Sequence, residues 1–148
     1  MGGLYRSAHE LCVVFKSGAE PHRNKVELGK FGRNRSNVWT YDSPSKDELL
    51  GGHPTVKPVA MLADITRDCT KRGDLVLETF LGSGSTLIAA EETGRTCVGV
   101  ELDPYYLDVT IRRWQAITGR DAVHVGTGQR FDDMAQRLLA RTEASHGK

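Results

Sequence analysis

The 148 residues predict an α/β chain organised around one strand–helix–strand unit of nucleotide-binding type at residues 75–104. Three observations carry this expectation. The apolar run Leu75-Val76-Leu77 suits a buried parallel strand. The glycine-rich turn Gly82-Ser83-Gly84 follows it, and a helix then opens at Ser85 or Thr86 and stops at Gly94. A second apolar run ends in an acid, Glu101.

Gly82 and Gly84 let the backbone turn sharply and approach a ligand with no Cβ in the way. Glu101, closing the second strand, can accept hydrogen bonds from both ribose hydroxyls. The loop has no P-loop lysine, which argues against a triphosphate. It also lacks the third glycine of the dinucleotide fingerprint, since Ser85-Thr86 begins the helix instead. A nucleoside with an amino-acid tail, such as S-adenosylmethionine, fits better. The plainer alternative is a βαβ unit whose tight turn binds nothing.

Taken from the N-terminus, residues 4–16 are rich in strand formers around Leu11-Cys12-Val13-Val14-Phe15, and Ser17-Gly18 ends the run. The pair His9-Glu10 is either catalytic or structural, and the structural reading is preferred. Residues 21–41 change character. Arg23, Lys25, Lys30, Arg33 and Arg35 face one acid, Glu27, giving a local balance of +4. Asn24, Asn34, Asn37, Trp39 and Tyr41 are interleaved with them. Basic groups neutralise phosphates, Asn and Arg pair with base edges, and aromatics stack on bases. The segment is therefore either a DNA-contact surface or an ordinary solvated loop with Trp39 buried.

Residues 43–52 form a polar linker. In His53-Pro54-Thr55-Val56-Lys57-Pro58 the prolines hold off a helix until Pro58, which suits a first turn. Met61, Leu62, Ile65 and Cys69 recur at helical spacing, and Gly73 is the expected stop. Lys57, at the mouth of that helix, either reaches a ligand's carboxylate tail or is simply solvated. After Glu101, Asp103 caps a helix with Pro104 at its first position. Val109, Ile111, Trp114 and Ile117 pack it as far as Gly119, while Arg112 and Arg113 face out or bind phosphate. Val123-His124-Val125 suggests a short strand. Met134, Leu138 and Leu139 suggest a last helix, followed by a fraying tail at 142–148.

Bulk properties bound the rest. The content is 39% hydrophobic and 26% charged, ordinary for one globular domain. A net charge of +1 implies no global basic field, so nucleic-acid affinity must be local. Cys12, Cys69 and Cys97 are isolated, which suits reduced core thiols in a cytoplasm and neither a disulfide framework nor a zinc site. No apolar run reaches the length of a membrane span.

Together these residues resemble the amino-group DNA methyltransferases, which methylate adenine N6 or cytosine N4, in the circularly permuted order of their beta class. Phe80-Leu81-Gly82-Ser83-Gly84-Ser85-Thr86 is similar to that family's cofactor loop, and Gly99-Val100-Glu101-Leu102-Asp103-Pro104 to its ribose-binding strand end. His53-Pro54-Thr55-Val56-Lys57-Pro58 is similar to the motif preceding the cofactor strand. Tyr5-Arg6-Ser7-Ala8-His9-Glu10-Leu11 resembles a segment that follows the catalytic half. Phe31-Gly32-Arg33-Asn34-Arg35-Ser36-Asn37-Val38-Trp39 resembles part of the target-recognition region. The likeness runs from residue 3 to about residue 130.

Two departures stand inside the motifs. Glu78-Thr79-Phe80 replaces the family's usual Asp-Pro-Phe, and Ser85 replaces a threonine. Glu78 keeps the charge that would face the methionine ammonium, one methylene further out, so cofactor binding is expected to be weakened or shifted. A larger departure is the absence of any Asp/Asn/Ser-Pro-Pro-Tyr/Phe run, the family's catalytic motif. Asp103-Pro104-Tyr105-Tyr106 imitates it, but Pro104 starts a helix there. In the permuted order the motif would precede residue 3.

The resemblance thus implies a Rossmann-like S-adenosylmethionine-dependent methyltransferase fold with an incomplete sheet. Residues 1–52 would supply a strand, part of the target-recognition segment and a linker. Residues 53–141 would form the cofactor-binding subdomain, and 142–148 a polar tail. Thr55, Lys57, Pro58, Glu78, Phe80, Gly82, Gly84, Ser85, Thr86 and Glu101 would hold S-adenosylmethionine. Arg23, Lys25, Arg33, Asn34 and Arg35 would touch double-stranded DNA. No catalytic residue is assigned. The expected partners are DNA and either the missing catalytic half or a second copy. The chain is expected to be inactive alone. The rival expectations are a non-catalytic cofactor- or DNA-binding module and a decayed remnant.

Overall fold

The computed structural model describes residues 4, 8–30, 34–42 and 56–146. The linker expected at 43–52 lies outside the described residues, as do Thr55 and Arg33. Within them the order is α1 (Val59–Cys69), β1 (Leu75–Glu78), α2 (Ser85–Thr93), β2 (Thr96–Gly99), α3 (Pro104–Thr118) and α4 (Phe131–His146). The two strands pair in parallel, with Leu75 opposite Thr96 and Glu78 opposite Gly99.

The core lies between α1 and α2. Val59, Ala63, Ile88 and Ala89 are buried together, with Leu62 and Trp114 packed against them. Alanines at 63, 89 and 90 leave little bulk between the two helices, which therefore approach closely. Ile88 is the largest buried apolar side chain, contributing roughly 1.5–3 kcal/mol by removal from water. α2 ends where expected: Gly94 takes a left-handed φ of 72° and its N–H donates to the Ala90 and Glu91 carbonyls. α3 also starts and stops as expected. The Asp103 side chain accepts from the Tyr105 N–H at 2.9 Å, Pro104 fills the first turn, and Gly119 closes the helix at φ 66°.

Five expectations need correction. Residues 8–15 form no strand, and Leu11, Val13, Val14 and Phe15 are exposed. An apolar run becomes a strand only when a neighbour takes its backbone groups, and among the described residues β1 and β2 pair only with each other. α1 ends at Cys69, not near Gly73. Thr70 turns to extended backbone (φ −135°), its hydroxyl bonds back to the Thr66 carbonyl, and Arg95 holds it through Nε to Oγ1 and Nη2 to the carbonyl, each at 2.9 Å. Residues 123–125 make a single antiparallel bridge, Val123 to Arg130, with Val125 fully exposed. On α3, Ile117 is half exposed and does not pack as expected.

The last helix runs on through His146, past the boundary placed at 142. Leu138 and Leu139 lie exposed on it. Its first turn is tied to α3 by the Gln115 amide, which donates to the Asp132 carboxylate at 3.2 Å, and by Arg112 stacked 5.0 Å over the Phe131 ring.

Candidate cofactor cleft and basic strap

Both strands end at the same edge, and the loop after β1 folds across it. Leu81 N–H donates to the Val100 carbonyl at 2.9 Å, fastening the loop to the chain beyond β2. Gly82 (φ 54°) and Gly84 (φ 78°) both take left-handed backbone, which explains the two glycines. Gly84 has a second reason. A Cβ there would stand 2.6 Å from Thr110 Cγ2, so its bareness serves the approach of α3.

Two carboxylates order this loop. Glu78 accepts from the Phe80 N–H at 3.0 Å and from the Thr86 hydroxyl at 2.9 Å, bridging the loop to the first turn of α2. The extra methylene of Glu over Asp gives it that reach. Glu101 accepts from the Gly82 N–H at 2.6 Å through one oxygen and from the Asp103 N–H at 3.0 Å through the other. It therefore lies directly beside the bare loop and does not turn into the interior.

From behind, α3 clamps the loop. The Thr110 hydroxyl donates to the Gly82 carbonyl at 2.9 Å. Arg113 Nη1 donates to the Ser83 carbonyl and to Ser85 Oγ, each at 3.1 Å. Arg113 was expected to face out or to bind phosphate; instead it points into the loop. Thr110 and Arg113 are the residues that sequence reasoning missed. They stand three apart, hence on one helix face, and a hydroxyl amid that face's apolar positions was the available signal. Within β2, burial and the nearby Glu78 charge push the Cys97 thiol above its ordinary value.

The cleft in front of the loop measures about 690 Å³. Lys57, Glu78, Phe80, Gly82, Ser85, Thr86 and Glu101 all line it, together with Leu102 and Tyr106. Phe80 and Leu102 are 86% and 98% exposed, so two apolar side chains flank an acid-lined cavity with nothing over them among the described residues. Pro58 takes the capping position just before α1, one residue earlier than expected. Lys57 Nζ stands 3.1 Å from the Glu10 carboxylate. Asp103 caps α3 through its side chain and stands at the rim of the cleft.

The basic segment lies against α1, away from this cleft. Arg23 pairs with Asp74, and Arg35 with Asp68 at 3.0 Å and Asp64 at 3.5 Å. Lys25 and Asn34 are exposed. A second cavity, of about 610 Å³, opens between the segment and α1 and is lined by Asn34, Trp39 and Tyr41 among others.

Comparison with known proteins adds three findings. A family model described as DNA methylase, of N6/N4 type, matches residues 5–112. The type II methyltransferase M2.DpnII of Streptococcus pneumoniae is 37% identical over 86 residues, covering 57% of this chain and 32% of that protein. M.ScaI of Streptomyces caespitosus is 29% identical over 97 residues, covering 62% and 32%. Among solved structures, the M1.HpyAVI–SAM complex is 31% identical and covers 55% of this chain and 42% of that one, at a TM-score of 0.47. The chain spans about a third of the length of the curated relatives it matches.

Proposed function

The chain belongs to the N6/N4 DNA methylase family, and from that premise we propose that it is the S-adenosylmethionine-binding part of a DNA amino-methyltransferase, carrying some of the DNA contacts. The observation that carries this is the Glu101 carboxylate, 2.6 Å from the Gly82 N–H at the lip of the cleft. There it can accept the two ribose hydroxyls of an adenosine while the glycine backbone passes close by.

The remaining residues divide the work. Phe80 and Leu102 offer apolar surface to a purine. Glu78 has two of its roughly four acceptor sites in use within the loop and keeps others for an ammonium group. Lys57 can exchange Glu10 for the ligand's carboxylate. Pro58 stands just before the start of α1, and Ser85 and Thr86 at the start of α2. When bound, the cofactor supplies a methyl group made electrophilic by its sulfonium. Orienting a target amine toward it requires groups that these 148 residues do not include, since they hold no Pro-Pro pair.

The sheet supports the same division. Leu75, Leu77, Val98 and Val100 are exposed along one face of the two strands. A bare apolar face of this kind calls for a covering layer. We assign that layer to the complementary, catalytic part of a methyltransferase. DNA methylation then requires both parts.

The test is transfer of labelled methyl groups from S-adenosylmethionine to mixed-sequence duplex DNA. The chain alone is expected to transfer none, and the chain mixed with a catalytic half from a relative is expected to transfer label. Efficient transfer by the chain alone refutes the division of labour. Failure to bind the cofactor at all refutes the assignment of the cleft.

A further inference from the structure

The basic segment is fastened, and two of the three arginines that composition singles out as DNA contacts are among its fasteners. Residues 23–30 and 34–41 meet α1 and the turn after it at four points. Arg23 pairs with Asp74. The Lys25 N–H donates to the Asp68 carbonyl at 2.8 Å. Arg35 Nη1 stands 3.0 Å from Asp68 Oδ2, and its Nη2 stands 3.5 Å from Asp64 Oδ2. The Tyr41 hydroxyl donates to Asp64 Oδ2 at 2.7 Å. Asp64 and Asp68 are four residues apart, hence on one face of α1, while Val59 and Ala63 face the core.

Arg35 is the centre of this arrangement. Its guanidinium lies 5.1 Å from the Trp39 ring centroid and donates to the Tyr41 hydroxyl at 3.4 Å. Only 27% of its side chain is exposed. Burial pushes the Asp68 carboxyl up, and the Arg35 charge pulls against it. A planar fork spanning two acids and stacked on an indole is a bracket that a lysine cannot reproduce.

We propose that Arg35 is a positioning residue: with Tyr41, Asp64 and Asp68 it fixes the basic segment on α1 and so sets where Lys25 and Asn34 present themselves to DNA. α1 also carries Leu62, which lines the cofactor cleft. Leu62 and Asp68 are six residues apart, about 9 Å along the axis. One rigid helix thereby holds the DNA-contact segment at a set distance from the cofactor. This inference rests on the proposal that the segment meets DNA.

Its test turns on a sign. Asp68→Asn removes a negative charge and releases Arg35, so if Arg35 reads phosphates, binding of a labelled mixed-sequence duplex tightens. If Arg35 is the bracket, binding weakens, by about fivefold for the loss of one coupled pair. Arg35→Lys keeps the charge, so it preserves affinity for a phosphate contact and weakens it for a bracket. Tyr41→Phe changes no charge and is expected to weaken DNA binding less, with an unchanged salt slope. Cofactor affinity should stay at the wild-type value in Tyr41→Phe, which keeps the test open if Asp68→Asn folds poorly. Tighter binding by Asp68→Asn, or wild-type affinity in Arg35→Lys, overturns the bracket alone. Absence of DNA binding by the wild-type chain at low salt overturns both the bracket and the DNA-contact proposal beneath it.

Discussion

Gly84→Ala is the sharpest probe of how the cleft is built. Two penalties meet at that position. A φ of 78° is left-handed, which costs a residue with a Cβ about 1–2 kcal/mol. The new methyl would also stand 2.6 Å from Thr110 Cγ2 and 2.9 Å from Thr110 Oγ1. Thr110 has little room to yield. It is 1% exposed, β-branched, and bonded through Oγ1 to the Gly82 carbonyl. Relieving such overpacking adds roughly 1–3 kcal/mol. The sum is about 3 kcal/mol, a large share of the ~5–15 kcal/mol that holds a typical domain folded. Urea unfolding followed by far-ultraviolet circular dichroism measures it directly. The double variant Gly84→Ala, Thr110→Ala should recover the steric part and leave the backbone part, so the two changes should be strongly non-additive. A Gly84→Ala chain that unfolds at the wild-type urea midpoint, or strictly additive effects in the double variant, refutes the packing of α3 against this loop.

Further outcomes follow from the same geometry. Cys12 and Cys69 are exposed, whereas burial and Glu78 hold the Cys97 thiol protonated to higher pH, so iodoacetamide should label Cys97 last, as read by peptide mass spectrometry. Asp74 is held below the ordinary carboxylate range, chiefly by the Lys71 backbone N–H and then by Arg23. A depressed folded value means that its contribution is present above the unfolded pKa and lost as pH falls through the folded one. Asp74→Asn should therefore flatten the acid limb of the stability–pH curve and leave neutral pH as the region of greatest difference. Leu77→Lys, on the open face of β1 and not among the residues lining the cleft, should reduce binding of an apolar dye and self-association while sparing cofactor affinity; loss of cofactor binding in that variant would contradict the placing of Leu77 outside the site.

The parts that were legible in sequence are those whose cause is local. Gly94 and Gly119 end helices because left-handed backbone admits glycine freely, and Asp103-Pro104 starts one because a short acid and a fixed φ suit a first turn. The placement of Glu101 beside Gly82 was legible because strand, turn and helix lengths force it. What escaped depends on distant partners. Residues 8–15 carry a strand's composition, but a strand is made by its neighbour. Arg35 carries the charge of a DNA contact, and its pairing with two acids on α1, about thirty positions along the chain, could not be read from composition. Arg113 could have turned either way on α3, and the Ser83 carbonyl settles its direction. Gly73 resembled a helix stop, but Arg95 captures Thr70 first.

The central claim is that Glu101 grips the sugar of an adenosine cofactor at the bare loop. Calorimetric titration of S-adenosylmethionine into the wild-type chain and into Glu101→Ala tests it most directly, with Lys16→Ala, which does not line the cleft, as control. Saturable heat in the wild type and the control, and its loss in Glu101→Ala with circular dichroism unchanged, is the expected result. Equal heats in wild type and Glu101→Ala would contradict it.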